Sequence, residues 1–267
     1  MGGKVFDNTK PIETSQERDL IVQTIERDLG IVVTKEDFLG SAMYDKYPTS
    51  DLDIAIHPTL CPVDTLVETA TAMGFECVQR GTVVHVNLRA GNGHYQIDFM
   101  SGPHDWLRFA YAAARDSKYK GVHRTIFIRA IAAGHQSAFT HAITEDGNLI
   151  ARSGFSFLLN KGLCFRYRHR AHKKNGNGRV KAFTEITPEE FGVLYNINRL
   201  TNPFDVLDAH QVACMLLGEL ADHPVWESFE NMNEHLRIYF PAEYNQTIAI
   251  YKDMLRAEGL AIPDEIS

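Results

Sequence analysis

The sequence predicts an α+β fold: a mixed sheet backed by helices, then a small β-rich segment and a helical C-terminal region. Three patterns in the 267-residue chain lead to this prediction. Helical spacing of apolar residues alternates with strand-like segments up to about residue 134. A second group of alternating segments lies at residues 149–168, and from Pro188 onward the pattern is helical. We therefore predict two domains, residues 1–134 and 135–267.

The first predicted helix begins after Thr14 and ends at Gly30. Thr14 and Glu17 have the spacing of a capping box, in which each side chain accepts a hydrogen bond from the other residue's backbone N–H. Gly30 supplies the left-handed position at which many helices end. The apolar residues of this segment recur at helical intervals: Leu20, Ile21, Ile25 and Leu29.

Strands are predicted on both sides of a turn at Gly40 and Ser41. The apolar residues of segment 32–39 lead into this turn, and segment 51–56 forms the neighbouring strand. Residues 63–73 are amphipathic and predict a second helix.

A β-hairpin is predicted next. Residues 82–88 alternate and are β-branched, residues 91–93 read Gly-Asn-Gly, and residues 94–100 return as the partner strand. Residues 103–115 and 122–133 then predict two helices, the second of which closes the first domain.

The second domain is predicted to begin with two strands, at residues 149–158 and 163–168. Turn-forming residues with Asn or Gly lie at 147–148, 160–162 and 175–178.

The composition is that of an ordinary soluble protein. Hydrophobic residues make up 44% of the chain, and no run approaches the roughly 18 apolar residues of a membrane helix. The first residues lack the apolar core of a secretion signal. The cysteines have no C-x-x-C spacing, which argues against a zinc knuckle or a disulfide framework. We therefore expect a cytoplasmic protein.

Charge is distributed unevenly along the chain, whose net charge is −7. Residues 182–267 carry fifteen Asp and Glu against four Lys and Arg, a net charge of −11. Residues 161–181 contain eight basic residues and no acid, and such local clusters attract polyanions. The basic residues of this strip are Lys161, Arg166, Arg168, Arg170, Lys173, Lys174, Arg179 and Lys181.

Two alternate aspartates on a predicted strand are the most informative feature. Asp51 and Asp53 project to one face of the strand, because successive strand residues point to opposite faces. A third carboxylate, Asp98, lies in the second strand of the predicted hairpin. Clustered carboxylates repel one another unless cations lie between them, and hard oxygen ligands suit Mg²⁺ or Mn²⁺. The alternative is that all three are solvent-facing acids on an edge strand.

These residues resemble the signature of the DNA polymerase beta-like nucleotidyltransferase superfamily. The resemblance lies in Gly40-Ser41, nine further residues, Asp51-x-Asp53, and an apolar-Asp-apolar strand at Asp98. It covers roughly residues 30–105. It implies a nucleotidyltransferase-type mixed sheet backed by helices and followed by a more variable region. It also implies transfer of a nucleoside monophosphate from an NTP to a hydroxyl acceptor, with release of pyrophosphate.

The resemblance also implies roles for individual residues. Asp51 and Asp53 would hold two metal ions, and Asp98 would hold the ion that activates the acceptor hydroxyl. Gly40 and Ser41 would cradle the β- and γ-phosphates of the NTP, although a plain turn remains the alternative for Gly40.

Four more residues are candidates for NTP or metal binding. Ser50 could donate to the Asp51 carboxylate or be an ordinary strand-start residue. Lys118, Lys120 and Arg124 lie where related enzymes often use basic residues on the triphosphate. A solvated polar face is the alternative for these three.

The acceptor is predicted to be nucleic acid, with RNA the first choice. Arg166, Arg168, Arg170 and Lys173 are interleaved with aromatic residues and could bind phosphates beside stacked bases. A small-molecule acceptor of the aminoglycoside kind is a rival, because the acidic C-terminal region would suit a polycation. A non-catalytic, antitoxin-like binding protein with the same fold is a third possibility, and a merely solvated basic loop is the alternative for the arginines.

Overall fold

The computed structural model describes residues 5–112, 116–119, 121–135, 142–158, 162–175, 178–197 and 228–267. The chain divides into two compact units. The first comprises Met1–Thr125, Leu159–Gly162 and His223–Glu234, and the second Ile126–Leu158, Leu163–Asp222 and His235–Ser267. Within the described residues the fold is α+β, as predicted.

The helices of the described ranges are α1 (Ser15–Leu29), α2 (Val63–Ala72), α3 (His104–Tyr111), α4 (Gly121–His135), α5 (Pro188–Tyr195), α6 (Phe229–Tyr239) and α7 (Pro241–Ala257). The strands are β1 (Asp51–Ile56), β2 (Glu76–Arg80), β3 (Val83–Ala90), β4 (Gly93–Ser101), β5 (Ala142–Glu145), β6 (Asn148–Leu158), β7 (Gly162–Asn175) and β8 (Gly178–Ile186). None of these helices combines the length and the apolar character needed to cross a membrane.

The first unit contains a mixed sheet with strand order β1-β4-β3-β2. β1 is parallel to β4, whereas β4 with β3 and β3 with β2 are antiparallel. One face of this sheet is largely apolar and packs against α1 and α2. Leu52 and Ile54 of β1 and Ile97 and Phe99 of β4 are 0% exposed on that face. The strict alternation of these strands therefore directs the residues between them to the opposite face.

Helix α1 begins and ends where the sequence predicts. The Thr14 hydroxyl accepts a hydrogen bond from the Glu17 N–H at 3.2 Å, and Gly30 ends the helix with φ +67°. In a capping box the Glu17 carboxylate would accept from the Thr14 N–H. Here it accepts from the N–H of Glu13 instead, at 2.7 Å. The hydroxyl cap is thus confirmed, and the acid reaches one residue further back than predicted.

The predicted strand before the Gly40 turn is wrong. Residues 35–37 form a short 3₁₀ turn, and Phe38 makes one isolated bridge to Ile54 of β1. The Asp37 carboxylate accepts from both the N–H and the hydroxyl of Thr34, at 2.6 and 2.8 Å. This local capping satisfies the Thr34 N–H without a partner strand.

The second unit contains an antiparallel sheet with strand order β5-β6-β7-β8. One face carries Ala151, Phe165 and Tyr167, which form a buried cluster with Phe191 of α5. The Tyr167 and Phe191 rings lie with their centroids 5.0 Å apart. β7 extends well beyond the predicted residue 168, and β5, β8 and, in the first unit, β2 were not predicted.

Candidate metal centre

Three carboxylates converge on one face of the mixed sheet. Asp51 and Asp53 lie on β1 and Asp98 on β4, and one oxygen from each lies within 4.8 Å of the others. The strand register explains this arrangement, because Asp53 is the direct partner of Asp98 in the parallel pair. Asp51 and Asp53 are partly buried, and Asp98 is 2% exposed.

The electrostatics of the site reflect three acidic groups held close together. Burial raises the pKa of the Asp53 carboxyl well above its ordinary value, and the Asp51 and Asp98 carboxylates raise it further. Burial together with Asp53 and Asp98 also raises the pKa of the Tyr111 hydroxyl. Three converging carboxylates of this kind fit a hard divalent cation, whose oxygen ligands they would supply.

Asp98 is held in place by two buried side chains. His85, its cross-strand partner on β3, places Nδ1 2.8 Å from Asp98 Oδ1. Gln96 donates from Nε2 to the two Asp98 oxygens at 3.1 and 3.3 Å. The side-chain oxygen of Gln96, Oε1, accepts from the Val5 N–H at 2.7 Å. This contact fixes the side-chain amide with its NH₂ group toward the Asp98 carboxylate. The carboxylate orientation is thus set by the β3–β4 hairpin.

Gly40 lies directly against Asp53. It has φ +57°, and a Cβ at this position would lie 2.7 Å from Asp53 Oδ2. The backbone on either side is tied to the site: the Leu39 N–H donates to the Asp53 carbonyl at 3.0 Å, and the Gly40 N–H to the Tyr111 carbonyl at 3.1 Å. Glycine is required here for two independent reasons, its backbone conformation and the space taken by the carboxylate.

The two predicted serines lie at either end of the loop that joins this turn to β1. The Ser41 carbonyl accepts from the N–H groups of Tyr44 at 3.3 Å and Lys46 at 3.0 Å, which fold the loop back on itself. The Ser50 hydroxyl donates to Asp51 Oδ1 at 3.2 Å. Ser50 therefore makes the hydrogen bond to Asp51 that was predicted as one of its two roles, the other being an ordinary residue at the start of the strand.

The structure gives the predicted triphosphate-binding residues different environments. Arg124 is 2% exposed, donates to the Phe109 carbonyl and lies over the Phe109 ring at 4.9 Å from its centroid. Lys118 is exposed, and its backbone N–H donates to Glu230 at 2.7 Å. Lys120 lies outside the described residues. Arg124 packs within the first unit, and phosphate binding by these residues stays a prediction.

The predicted acceptor-binding residues lie on β7 of the second unit. Arg166, Arg168 and Arg170 alternate along the strand and share one face. Arg166 forms an ion pair with Glu185 of β8, and Arg170 is exposed. Lys173 lies further along the strand, opposite Val180. Acceptor binding by these four residues stays a prediction.

Three residues of the carboxylate site were missed from the sequence: His85, Gln96 and Tyr111. The hairpin register contains the signal for His85. The strands close at the pair Ala90 and Gly93, and counting outward from that pair brings His85 opposite Asp98. Nothing in the local pattern marks Tyr111, because it reaches the site from α3.

Comparisons with protein-family models and with curated proteins found no match to this chain.

Proposed function

We propose that this protein is a metal-dependent nucleotidyltransferase, which moves a nucleoside monophosphate from an NTP to a hydroxyl acceptor and releases pyrophosphate. The observation that carries the proposal is the convergence of Asp51, Asp53 and Asp98 within 4.8 Å on adjacent parallel strands. Support comes also from Gly40, which brings its backbone against Asp53 at the position where the resemblance requires a phosphate cradle.

The donor set fits Mg²⁺ or Mn²⁺. All three ligands are carboxylates; burial raises the pKa of the Asp53 carboxyl, and the neighbouring Asp51 and Asp98 carboxylates raise it further. Bound there, two such ions would neutralise the charge on the attacking and leaving oxygens of an in-line displacement.

Each residue of the site has a distinct role in this proposal. Asp51 and Asp53 would hold the ions and, through them, the triphosphate. Ser50 donates to Asp51 and keeps that carboxylate turned toward the site. At the turn, Gly40 has no side chain, which lets the phosphates approach closely, and the Ser41 amide and hydroxyl would donate to them.

Asp98 acts on the acceptor. Its carboxylate takes the proton of the acceptor hydroxyl while the hydroxyl oxygen bonds to the α-phosphorus. The bond from the α-phosphorus to the bridging oxygen breaks at the same centre, and pyrophosphate leaves with that electron pair. His85 and Gln96 hold the carboxylate in one orientation.

The proposal is tested by incubating the protein with each α-labelled NTP, Mg²⁺ or Mn²⁺, and pools of RNA, protein and small hydroxylated molecules. We expect label to become attached to one acceptor pool. The Asp51→Asn substitution should reduce that transfer by about 10²-fold or more, because it removes charge that acts at the reacting phosphate. Asp64→Asn, an exposed aspartate on α2, is the matched control and should transfer normally. Transfer that survives Asp51→Asn at the parental rate would rule out this site as the catalytic centre.

A further inference from the structure

The second sheet has two chemically different faces. Phe165 and Tyr167 of β7 are 7% and 2% exposed and pack in the apolar cluster with Phe191. Arg166 and Arg168 alternate with them and therefore lie on the opposite face. The basic strip recognised in the sequence is thus organised by β7 into a row on one side of the sheet.

Residues from the neighbouring strands extend this face. Phe183 of β8 is the direct partner of Arg170, so the two side chains share a face. Arg152 of β6 places its guanidinium over the Phe183 ring, 4.8 Å from the centroid. Arg152 therefore joins the row, although it lies outside the basic strip and was not predicted.

Helix α4 contributes a fifth arginine, Arg129. Its guanidinium interacts electrostatically with Arg152 and Arg168. Burial lowers the pKa of Arg129, and the Arg152 charge lowers it further. Burial also lowers the pKa of Arg168, with further contributions from Arg166, Arg152 and Arg129. Glu258 lies 3.9 Å from Arg129 and offsets part of the charge. The Arg129 Nε is buried and has no hydrogen-bond partner among the described residues. We call this set the arginine face: Arg129, Arg152, Arg166, Arg168 and Arg170.

The chemistry of the arginine face suits a chain of phosphates. Guanidinium groups bind phosphate oxygens through two parallel hydrogen bonds, which makes arginine the preferred side chain for this ligand. Alternate residues on one strand lie about 6.8 Å apart, so Arg166, Arg168 and Arg170 form a linear series of cations. Glu185 of β8, which lies opposite Arg168 and is paired with Arg166, offsets part of this charge. A single small anion would occupy one of these positions, whereas a polyanionic backbone can occupy several at once.

We infer that the arginine face binds the phosphate backbone of single-stranded nucleic acid. The ring of Phe183 lies among the cations and gives a base a surface on which to stack. That the bound nucleic acid is also the hydroxyl acceptor rests on the proposed function, whereas the binding itself does not.

The binding is tested by fluorescence anisotropy with labelled oligouridine and oligodeoxyuridine of about 16 nucleotides. The titrations contain EDTA and no NTP, and they are repeated over a series of salt concentrations. The parent protein should bind at low salt, and log affinity should fall linearly with log salt. The double substitution Arg152→Gln and Arg168→Gln should reduce this slope by about 1.4, since each lost phosphate contact contributes about 0.7 for a single strand.

Two sets of variants separate a binding effect from a folding effect. Arg170 is exposed, so Arg170→Gln should leave the far-UV circular dichroism and melting temperature unchanged while reducing the salt slope by about 0.7. The matched control is Arg27→Gln with Arg256→Gln, which removes the same charge from two exposed arginines paired with Asp28 and Asp253. This control should retain the parental slope. An equal loss in the control and in the arginine-face double variant would overturn the inference.

The outcomes also distinguish the inference from the proposed function. Asp53→Asn should bind both oligonucleotides as the parent does, although it should not transfer a nucleotide. If the parent binds neither oligonucleotide at low salt but transfers label to a small molecule, the arginine face is not a nucleic-acid site and the proposed function stands. Tighter binding of oligouridine than of oligodeoxyuridine, which differ only in the 2′-hydroxyl, would identify RNA as the preferred ligand.

Discussion

Asp53 has an unfavourable electrostatic position in the metal centre. Its carboxyl is partly buried and faces two further carboxylates, and its pKa is raised above the ordinary value of 3.8. A raised pKa in the native state means that the folded protein binds this proton more tightly than the unfolded chain does. The contribution of Asp53 to stability is therefore full below the unfolded pKa and is lost as the pH rises through the folded pKa.

We predict that Asp53→Asn stabilises the metal-free protein at neutral pH. The amide is similar in size and removes the charge that the folded state disfavours, so the melting temperature in EDTA should rise above that of the parent at pH 7. Saturating Mn²⁺ should raise the melting temperature of the parent more than that of the variant, because the variant has lost a ligand. Thermal melts from pH 4 to 8, with and without Mn²⁺, measure both effects. A variant that melts below the parent in EDTA at pH 7 would contradict this account.

Gly40 lies so close to Asp53 that a larger side chain at this position would collide with the carboxylate. We predict that Gly40→Ala lowers transfer by about 10²-fold, because its methyl group would displace the Asp53 carboxylate. The backbone strain of a left-handed alanine should also cost about 1–2 kcal/mol of stability. Gly81→Ala is the matched control: Gly81 has φ +64°, and a Cβ there meets nothing within 4 Å. If the two variants have similar melting temperatures and only Gly40→Ala loses activity, the loss is due to the contact with Asp53 and not to backbone strain. Equal activity in both would show that Gly40 does not shape the site.

The hairpin of β3 and β4 works as a unit that orients Asp98. Its register brings His85 opposite Asp98, and Gln96 lies two residues away from Asp98 on the same face. His85 and Gln96 are positioning residues in the proposed mechanism, since they act on the substrate only through the carboxylate.

We predict that His85→Ala lowers kcat by about 10- to 100-fold, the usual cost of losing a hydrogen bond to a metal-binding side chain. NTP affinity should change little, because Asp51 and Asp53 remain in place. Asp98→Asn should show the same division, with turnover lost and NTP binding retained. His85→Gln keeps a hydrogen-bond donor and should restore part of kcat. Kinetics together with equilibrium NTP binding test this, and equal loss of NTP affinity in Asp53→Asn and Asp98→Asn would show that the division of roles is wrong.

The strands that carry the carboxylates were predictable because their alternation is complete. Residues 51–56 and 94–100 place every second side chain in an apolar core. Segment 32–39 is equally apolar at its ends, but Thr34 and Asp37 cap a local turn that its periodicity does not reveal.

The unpredicted strands have a different cause. β2 has little buried surface, so no apolar period marks it. β5 and β8 can be identified as strands only from their pairing with β6 and β7. The same holds for the arginine face: the strip around Arg168 was clear from the sequence, but Arg129 and Arg152 join it only through the sheet and helix that bring them there.

At the scale of the whole molecule, the proposed metal site and the arginine face belong to different compact units. We predict that each ligand protects its own unit in hydrogen exchange. Mn²⁺ at about 100 times its Kd stabilises a metal-binding state by about 2.7 kcal/mol, which should slow exchange in β1 and β4. Oligouridine should instead slow exchange in β6, β7 and β8. Protection of β1 and β4 by oligouridine alone, with none in the second sheet, would contradict the assignment of the nucleic-acid site.

The parallel pairing of β1 with β4 has a consequence for how the protein folds. The β3–β4 hairpin closes over a short loop, whereas Asp53 meets Asp98 only after a segment containing all of α2, β2 and β3 has been brought into place. Contacts between such distant residues form late, because the entropy of closing the intervening loop must be overcome first. A chain with the hairpin formed and β1 still detached would hold one carboxylate and bind divalent ions weakly. Metal ions should therefore leave the folding rate almost unchanged and instead retard unfolding, so the candidate catalytic centre would also act as a kinetic latch on the first strand.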